Sequence, residues 1–157
     1  MKASITYSRS LTTASQIAMH LAACDAHFQP PLSGRVIVGD YAEKLAARAV
    51  RFEAWSGDSL IGLVAVYGNE APSPAYITNV SVLPGWTGRG IATHLLRAAI
   101  AYSGVNHFPR LRLEVAAAHA AAIRLYERCG FTMEDNRGQL VGMVLDLAGE
   151  RAHESGT

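Results

Sequence analysis

The run Pro84-Gly85-Trp86-Thr87-Gly88-Arg89-Gly90-Ile91-Ala92 lies between a predicted strand and a predicted helix, and it decides the fold. The strand covers residues 76–83, and the helix extends from about Gly88 to Ser103 with an apolar inner face. Glycines at such a turn let main-chain N–H groups approach an anion closely, and the helix start adds the positive end of its dipole. The turn therefore suits a pyrophosphate. On the pattern alone, a tight structural turn is an equal alternative.

Two other phosphate-binding motifs are excluded by the residues of this run. A P-loop places Lys and then Ser or Thr after its last glycine, whereas Ile91 and Ala92 follow Gly90 here. A dinucleotide-binding fingerprint opens a doubly wound domain early in the chain. This turn lies past the midpoint instead, and it follows a predicted hairpin of residues 52–55 and 60–67.

The other predicted elements alternate between strands and helices. They are a strand at 5–8, a helix capped by Thr12 or Thr13, a helix at about 41–50 capped by Asp40, a strand at 111–115, a helix at about 118–128, and strands at 131–134 and 140–147. One strand–helix–strand unit in this order should be a right-handed parallel crossover. We therefore predict an α/β (α+β) fold, with a mixed, mostly antiparallel central sheet flanked by about four helices. Residues 1–148 should form a single domain and residues 149–157 a polar tail.

The glycine run resembles the signature of the GNAT superfamily of acetyl-CoA-dependent N-acetyltransferases. That signature is Gln/Arg-x-x-Gly-x-Gly/Ala after a strand that ends in a Val-x-Pro-like step. Val82-Leu83-Pro84 and the residues after it match every position except the first, where Thr87 stands. The segment Ala122-Ile123-Arg124-Leu125-Tyr126-Glu127-Arg128-Cys129-Gly130-Phe131 is similar to the family's Ala-x-x-Leu-Tyr-x-x-x-Gly-Phe. The resemblance spans residues 76–131 and implies a GNAT-like fold that binds acetyl-CoA.

The resemblance also implies which residues bind the cofactor. Main-chain donors of the turn should hold the pyrophosphate, with the Thr87 hydroxyl and the Arg89 cation beside them. Val80 and Val82 should offer main-chain groups to the pantetheine amides. His119 stands where the family usually has Asn, and it should bond the pantetheine arm or a water; a surface histidine is the alternative. The full implied set is Val80, Val82, Thr87, Gly88, Arg89, Gly90, Ile91, Ala92, His119 and Tyr126.

Two side chains are the candidates for catalysis. The family places the tyrosine of the second motif beside the sulfur, so Tyr126 is the implied general acid for the CoA thiolate. Leu113-Glu114-Val115 is similar to the corresponding run of the ribosomal-protein alanine N-acetyltransferases, which implies Glu114 as general base. Two alternatives stay open for the base position. They are an ordered water near Thr78 and Asn79, and an ion pair of Glu114 with Arg112, Arg124 or Arg128.

Composition restricts the partners. Fourteen Lys+Arg against thirteen Asp+Glu give a net charge of +1, which does not indicate a nucleic-acid-binding face. No apolar stretch is long enough for a membrane span and no secretory segment follows Met1, so a cytoplasmic setting is predicted. The six histidines and two cysteines lack metal-ligand spacing, and no metal is predicted. The 50% apolar content is compatible with a homodimer interface.

The predicted activity is transfer of an acetyl group from acetyl-CoA to a primary amine. The amine belongs to a small molecule or to a peptide N-terminus, such as that of a ribosomal protein. The alternative is a non-enzymatic acyl-CoA-binding module, because Thr87 and His119 depart from the family pattern. The acceptor site should be built by the first two helices and the loop at 28–35 between them.

Overall fold

The computed structural model describes residues 4–28, 31–68 and 73–148. Within these ranges the chain forms seven strands and four α-helices. Their bounds are β1 Thr6–Arg9, α1 Ala14–Cys24, α2 Val38–Arg48, β2 Val50–Ser56, β3 Ser59–Tyr67, β4 Ala75–Val82, α3 Ile91–Val105, β5 Arg110–Ala116, α4 Ala120–Arg128, β6 Thr132–Asn136 and β7 Leu140–Asp146. Every helix in these ranges falls short, in length or in apolar character, of what a bilayer span requires.

The strands form one sheet in the order β1-β2-β3-β4-β5-β7-β6. β4 and β5 are parallel, with Ala75 opposite Leu111 and Tyr76 opposite Arg112. The pairs β1 with β2, β5 with β7 and β6 with β7 are antiparallel. The sequence order places α3 between β4 and β5, so α3 is the crossover of the parallel unit. The predicted mixed α/β sheet is confirmed.

The main-chain contacts group the chain into two compact units. The first consists of the described residues up to Ala65 together with Asn79–Leu95, and it holds α1, α2 and the glycine turn. The second consists of Val66–Thr78 and the described residues from Leu96 onward, and it holds β5, α4, β6 and β7. The single domain over residues 1–148 stays a prediction, and the predicted tail at 149–157 lies outside the described residues.

The amino-terminal caps of α1 and α2 differ from each other in kind. Thr13 caps α1 in a capping box, because its hydroxyl accepts from the Gln16 N–H at 3.2 Å while the Gln16 side chain accepts from the Thr13 N–H at 2.9 Å. α2 begins at Val38 with Ile37 as its N-cap. The prediction that Asp40 is the N-cap was wrong. Asp40 lies in the first turn, where its carboxylate still faces the positive end of the helix dipole.

A buried ion pair joins the end of α2 to the turn between β1 and α1. Arg51 Nε lies 3.5 Å from Glu53 Oε2, and both side chains are almost fully buried. The Arg51 guanidinium donates to the carbonyls of Leu45 and Ala49 at the end of α2, while Glu53 accepts from the N–H groups of Leu11 and Thr12. Both charges are thus surrounded by hydrogen bonds, which burial of an ion pair requires.

α3 begins three residues later than predicted, at Ile91. Gly88 and Gly90 both have φ of +77°, which a right-handed helix excludes. The start of α3 packs closely on β3, since a Cβ at Gly62 would lie 2.7 Å from Ile91 Cγ2 and 3.2 Å from Leu95 Cδ1. Gly62 therefore sets the short distance between β3 and the helix that follows the turn.

Candidate active site

The main-chain donors of the glycine turn are free of partners within the described part of the chain. The N–H of Trp86 before the turn donates to the Leu83 carbonyl at 2.9 Å, and the N–H of His94 after it donates to the Gly90 carbonyl at 3.0 Å. Between them, no N–H of residues 87–92 makes a hydrogen bond of normal length and angle to a carbonyl or side chain of the described residues. Unpaired donors at a helix start form an anion-binding site.

Two glycines give the turn its shape and leave the space above it open. Gly88 and Gly90 both adopt the left-handed conformation at φ +77°, which L side chains rarely tolerate. A Cβ at either position would meet no atom within 4 Å. The free donors, the helix start and the open space together fit a pyrophosphate.

The two polar side chains of the turn have different environments. The Thr87 hydroxyl donates to the Pro84 carbonyl at 3.2 Å, so its proton closes the turn and its N–H remains for a ligand. The guanidinium carbon of Arg89 lies 4.6 Å from the centre of the Trp86 ring. Such stacking restricts the arginine while its N–H groups stay open to solvent. Arg89 is therefore a fixed cation on the exposed turn.

The two faces of β4, the strand that leads into the turn, differ in burial. Val80 and Val82 are half-buried, whereas Asn79 and Ser81 are buried at 6% and 7% exposure. Asn79 was an alternative ligand for an ordered water, but its side chain is bonded to the Ser81 hydroxyl at 2.8 Å.

In the second unit, Tyr126 lies buried on α4 with 8% of its surface exposed. Its ring meets Phe131 edge to face, with centroids 6.1 Å apart and planes at 66°. Burial, and secondarily the nearby Cys129 thiol, raises the pKa of Tyr126 to about 12. The phenol is therefore fully protonated at neutral pH, as a proton donor must be.

Glu114 lies exposed on β5 and forms an ion pair with Arg137. Arg137 also lies 3.5 Å from Asp135, and Arg112 bonds Glu134 at 3.0 Å. The partner of Glu114 is thus none of the three arginines considered from the sequence. Arg137 escaped prediction because the β5–β7–β6 pairing brings it near from 23 residues away.

His119 is the N-cap residue of α4, which begins at Ala120 instead of near Ala118. Its side chain makes no capping hydrogen bond, and its N–H donates to the Ala116 carbonyl at 2.9 Å. His119 is half-buried. The imidazole does not cap the helix. The contact of His119 with the pantetheine arm or a water stays a prediction. In the ranges that the structure describes, no three His, Cys, Asp or Glu side chains are grouped to bind a metal.

The family model for the acetyltransferase (GNAT) family matches residues 17–131, which is well over half of the chain. The chain belongs to the GNAT family. The match includes α1 from Ile17 onward, the glycine turn and the whole of α4, so it includes residues of both units.

This GNAT chain is similar in sequence to one named enzyme and in fold to several solved structures. It is 35% identical over 72 residues to the N-acetylaspartate synthetase of Xenopus tropicalis, a match that covers 46% of this chain and only 27% of that protein. The ribosomal-protein-S18-alanine N-acetyltransferase of Escherichia coli has a similar fold, with TM-score 0.69, 23% identity and coverage of 92% and 94% of the two chains. A GNAT family acetyltransferase from Elizabethkingia anophelis, solved with acetyl-CoA bound, gives TM-score 0.66, 14% identity and coverage of 92% and 99%.

The predicted site residues of this GNAT chain fall into two groups. Val80, Val82 and the turn at 87–92 form one continuous segment of the first unit. Glu114, His119 and Tyr126 lie in the second unit, and within the described residues no hydrogen bond joins any two of them. The sequence motifs predict both groups, and their roles stay a prediction; the structure adds Trp86 beside Arg89 and Arg137 beside Glu114.

Proposed function

We propose that this chain is an N-acetyltransferase that moves an acetyl group from acetyl-CoA to a primary amine by direct attack. The observation that carries the proposal is the set of unpaired N–H groups at residues 87–92, above which the space is open. These donors bind the pyrophosphate, Arg89 neutralises part of its charge, and the main chain of Val80 and Val82 bonds the pantetheine amides. The acetyl-CoA seen in the Elizabethkingia anophelis protein supports the choice of donor.

The transfer requires two proton movements. The amine nitrogen attacks the thioester carbonyl carbon, the C–N bond forms, and the C–S bond breaks. Glu114 or an ordered water takes the proton that the amine loses, and Tyr126 donates the phenol proton to the departing thiolate. The products are an acetamide and free CoA thiol. The Tyr126 phenolate then regains a proton from solvent and the base releases one, and because the amine attacks the thioester directly, no covalent intermediate forms on the protein.

Two acceptor classes agree with the proposal. The relative named N-acetylaspartate synthetase favours a small amino acid such as aspartate, and the Escherichia coli protein's name favours a peptide with N-terminal alanine. Both acceptors present a primary amine, but only the first carries a second carboxylate.

A thiol-release assay tests the proposal directly. Purified protein is mixed with acetyl-CoA and with one of three amines: aspartate, an alanine-initiated peptide or an aliphatic diamine. Amine-dependent release of CoA thiol, with mass-spectrometric detection of the acetylated amine, is the expected result. If none of the amines accelerates the release of CoA thiol, the result contradicts the proposed N-acetyltransferase activity.

A non-enzymatic acyl-CoA-binding module is the second candidate, favoured by one observation. The Thr87 hydroxyl is already bonded within the turn, so this chain lacks the cationic or amide side chain that the family pattern has there. Binding of acetyl-CoA without turnover of any amine in the same assay identifies the module.

A further inference from the structure

The second half of β4 is tied to α1 and β3 by a buried hydrogen-bond cluster that the proposed mechanism does not use. His20 on α1 is a polar residue that is only 3% exposed, and the other buried residues on that face of α1 are apolar. Its Nδ1 lies 2.9 Å from the Leu60 carbonyl oxygen on β3, and its Nε2 lies 2.9 Å from the Ser81 hydroxyl on β4. One ring thus joins three elements of the first unit.

The chemistry of the partners fixes the protons of the cluster. A carbonyl oxygen only accepts, so Nδ1 carries the hydrogen and Nε2 of the neutral ring accepts. Ser81 must then donate to Nε2, because two lone pairs 2.9 Å apart repel. In the structure the amide oxygen of Asn79 lies 2.8 Å from the Ser81 hydroxyl. Because that hydroxyl has one proton and gives it to Nε2, the Asn79 amide must be rotated so that an N–H faces the hydroxyl. Among the described residues, the Cys24 thiol, 3.8 Å from Nε2, is the remaining polar group that faces the ring.

The cluster lies directly behind the residues that the proposed function assigns to the pantetheine arm. Side chains alternate along a strand, so Asn79 and Ser81 point into the buried face while Val80 and Val82 do not. The same end of β4 is also joined to β3 by the Leu83 N–H, which donates to the Ile61 carbonyl at 2.9 Å. Apolar contacts tolerate small shifts, whereas a satisfied buried network permits one arrangement.

We propose that His20, Ser81 and Asn79 are positioning residues that fix the end of β4, and with it the Val80 and Val82 main-chain groups, in the geometry that binds the pantetheine arm of acetyl-CoA. The proposal rests on the proposed function. None of the three side chains touches the donor, and their effect passes through the strand.

Ser81→Ala tests the positioning role with little change in volume. The KM for acetyl-CoA should rise about five- to tenfold, the range that one lost buried hydrogen bond allows, while the KM for the amine stays unchanged. The donor acetyl-pantetheine, which has no pyrophosphate, should lose the same factor. Ser81→Thr keeps the hydroxyl and should restore the wild-type KM.

Ser103→Ala is the matched control. Ser103 is fully buried, and its hydroxyl donates only to the Ala99 carbonyl of its own helix at 2.8 Å. Its loss should lower stability by a similar amount and leave the KM for acetyl-CoA unchanged. An equal rise in both variants, or a Ser81→Ala KM within twofold of wild type, overturns the positioning role.

Two measurements work without turnover. Amide hydrogen exchange at Val80 and Val82 should be faster in Ser81→Ala than in wild type and unchanged in Ser103→Ala. In wild type, ¹⁵N NMR of His20 should show hydrogen on Nδ1 and none on Nε2; the other tautomer overturns the cluster, and it does so even where Ser81→Ala fails to fold. If wild type binds no acetyl-CoA, the proposed function fails. If wild type binds and Ser81→Ala is unaffected in KM and exchange, only the positioning proposal fails.

Discussion

The guanidinium carbon of Arg89 lies 4.6 Å from the centre of the Trp86 ring, so the residue directly before the glycine turn positions the charge of Arg89. Arg89 is also the only cationic side chain within residues 87–92. The hydroxyl of Thr87 is bonded to Pro84, so in the proposed function Arg89 supplies the positive side-chain charge of the turn for the pyrophosphate.

Arg89→Met should raise the KM for acetyl-CoA about tenfold, which corresponds to one lost charge-assisted hydrogen bond. Trp86→Ala should raise it by a smaller factor, because the charge stays but is no longer oriented. Arg48→Met, which removes an exposed arginine at the end of α2, is the control for loss of a positive charge. Steady-state kinetics at low and high salt measure the effect, and equal KM values for Arg89→Met and Arg48→Met would contradict it.

Tyr126→Phe should lower kcat by about 10²-fold and leave the KM for acetyl-CoA nearly unchanged, as expected for a lost general acid. Tyr7→Phe removes an exposed phenol whose ring stacks on His94 with centroids 3.7 Å apart, and it should retain full activity.

The pH dependence gives an independent check on Tyr126. Burial raises its pKa to about 12, so the acid stays protonated and kcat should not decline through its ionisation below about pH 10. A decline in kcat with an apparent pKa near 9 that is absent in Tyr126→Phe would contradict this expectation. It would show that the phenol ionises well below the pKa that its burial implies.

Glu114→Gln decides between the two proton acceptors. If Glu114 takes the amine proton, kcat should decrease by about 10²-fold with binding of acetyl-CoA retained. Glu134→Gln is the matched control, since Glu134 is also a partly exposed carboxylate that pairs with an arginine of the same sheet. An unchanged kcat in Glu114→Gln assigns the step to an ordered water.

Because His20 is buried, we expect the fold to lose stability at acidic pH. Burial lowers its pKa from 6.5 to about 4, against the opposing contacts with Leu60 and Ser81. Between these two values the unfolded chain binds a proton that the folded chain does not. The free energy of unfolding should therefore be at its full value above about pH 6.5 and decrease by roughly 3 kcal/mol as the pH falls toward 4.

Urea unfolding at a series of pH values measures this loss. His20→Leu should remove this part of the pH dependence, because leucine binds no proton. A slope between pH 6.5 and 4 that is the same in both proteins would place the titration elsewhere.

The sequence was sufficient for features that depend on local patterns. The order of elements, the parallel crossover and the turn at residues 84–92 all followed from periodicity, glycines and two motifs, and the family match agrees with them. Thr13 and Thr12 could not be ranked as caps from the sequence, because the choice depends on Thr12 being bonded to the distant Glu53.

Features that depend on long-range contacts were missed. His20 and Ser81 are 61 residues apart, and Glu114 and Arg137 are 23 apart on strands that meet only through the sheet order. A polar residue at i+3 from Ile17 on an otherwise apolar helix face was the available signal for His20. Nothing in the local pattern pointed to its partner.

Calorimetric titration with CoA tests the central claim, that main-chain donors of the glycine turn bind the pyrophosphate. Gly88→Ala and Gly90→Ala add a methyl group at φ +77°, whereas Gly85→Ala adds one to equally open space without a positive φ. Wild type and Gly85→Ala should bind with similar affinity, and the two turn variants should bind at least about tenfold more weakly because the donors lose their orientation. No heat from wild type at millimolar CoA, or equal affinities in all four proteins, would contradict the account.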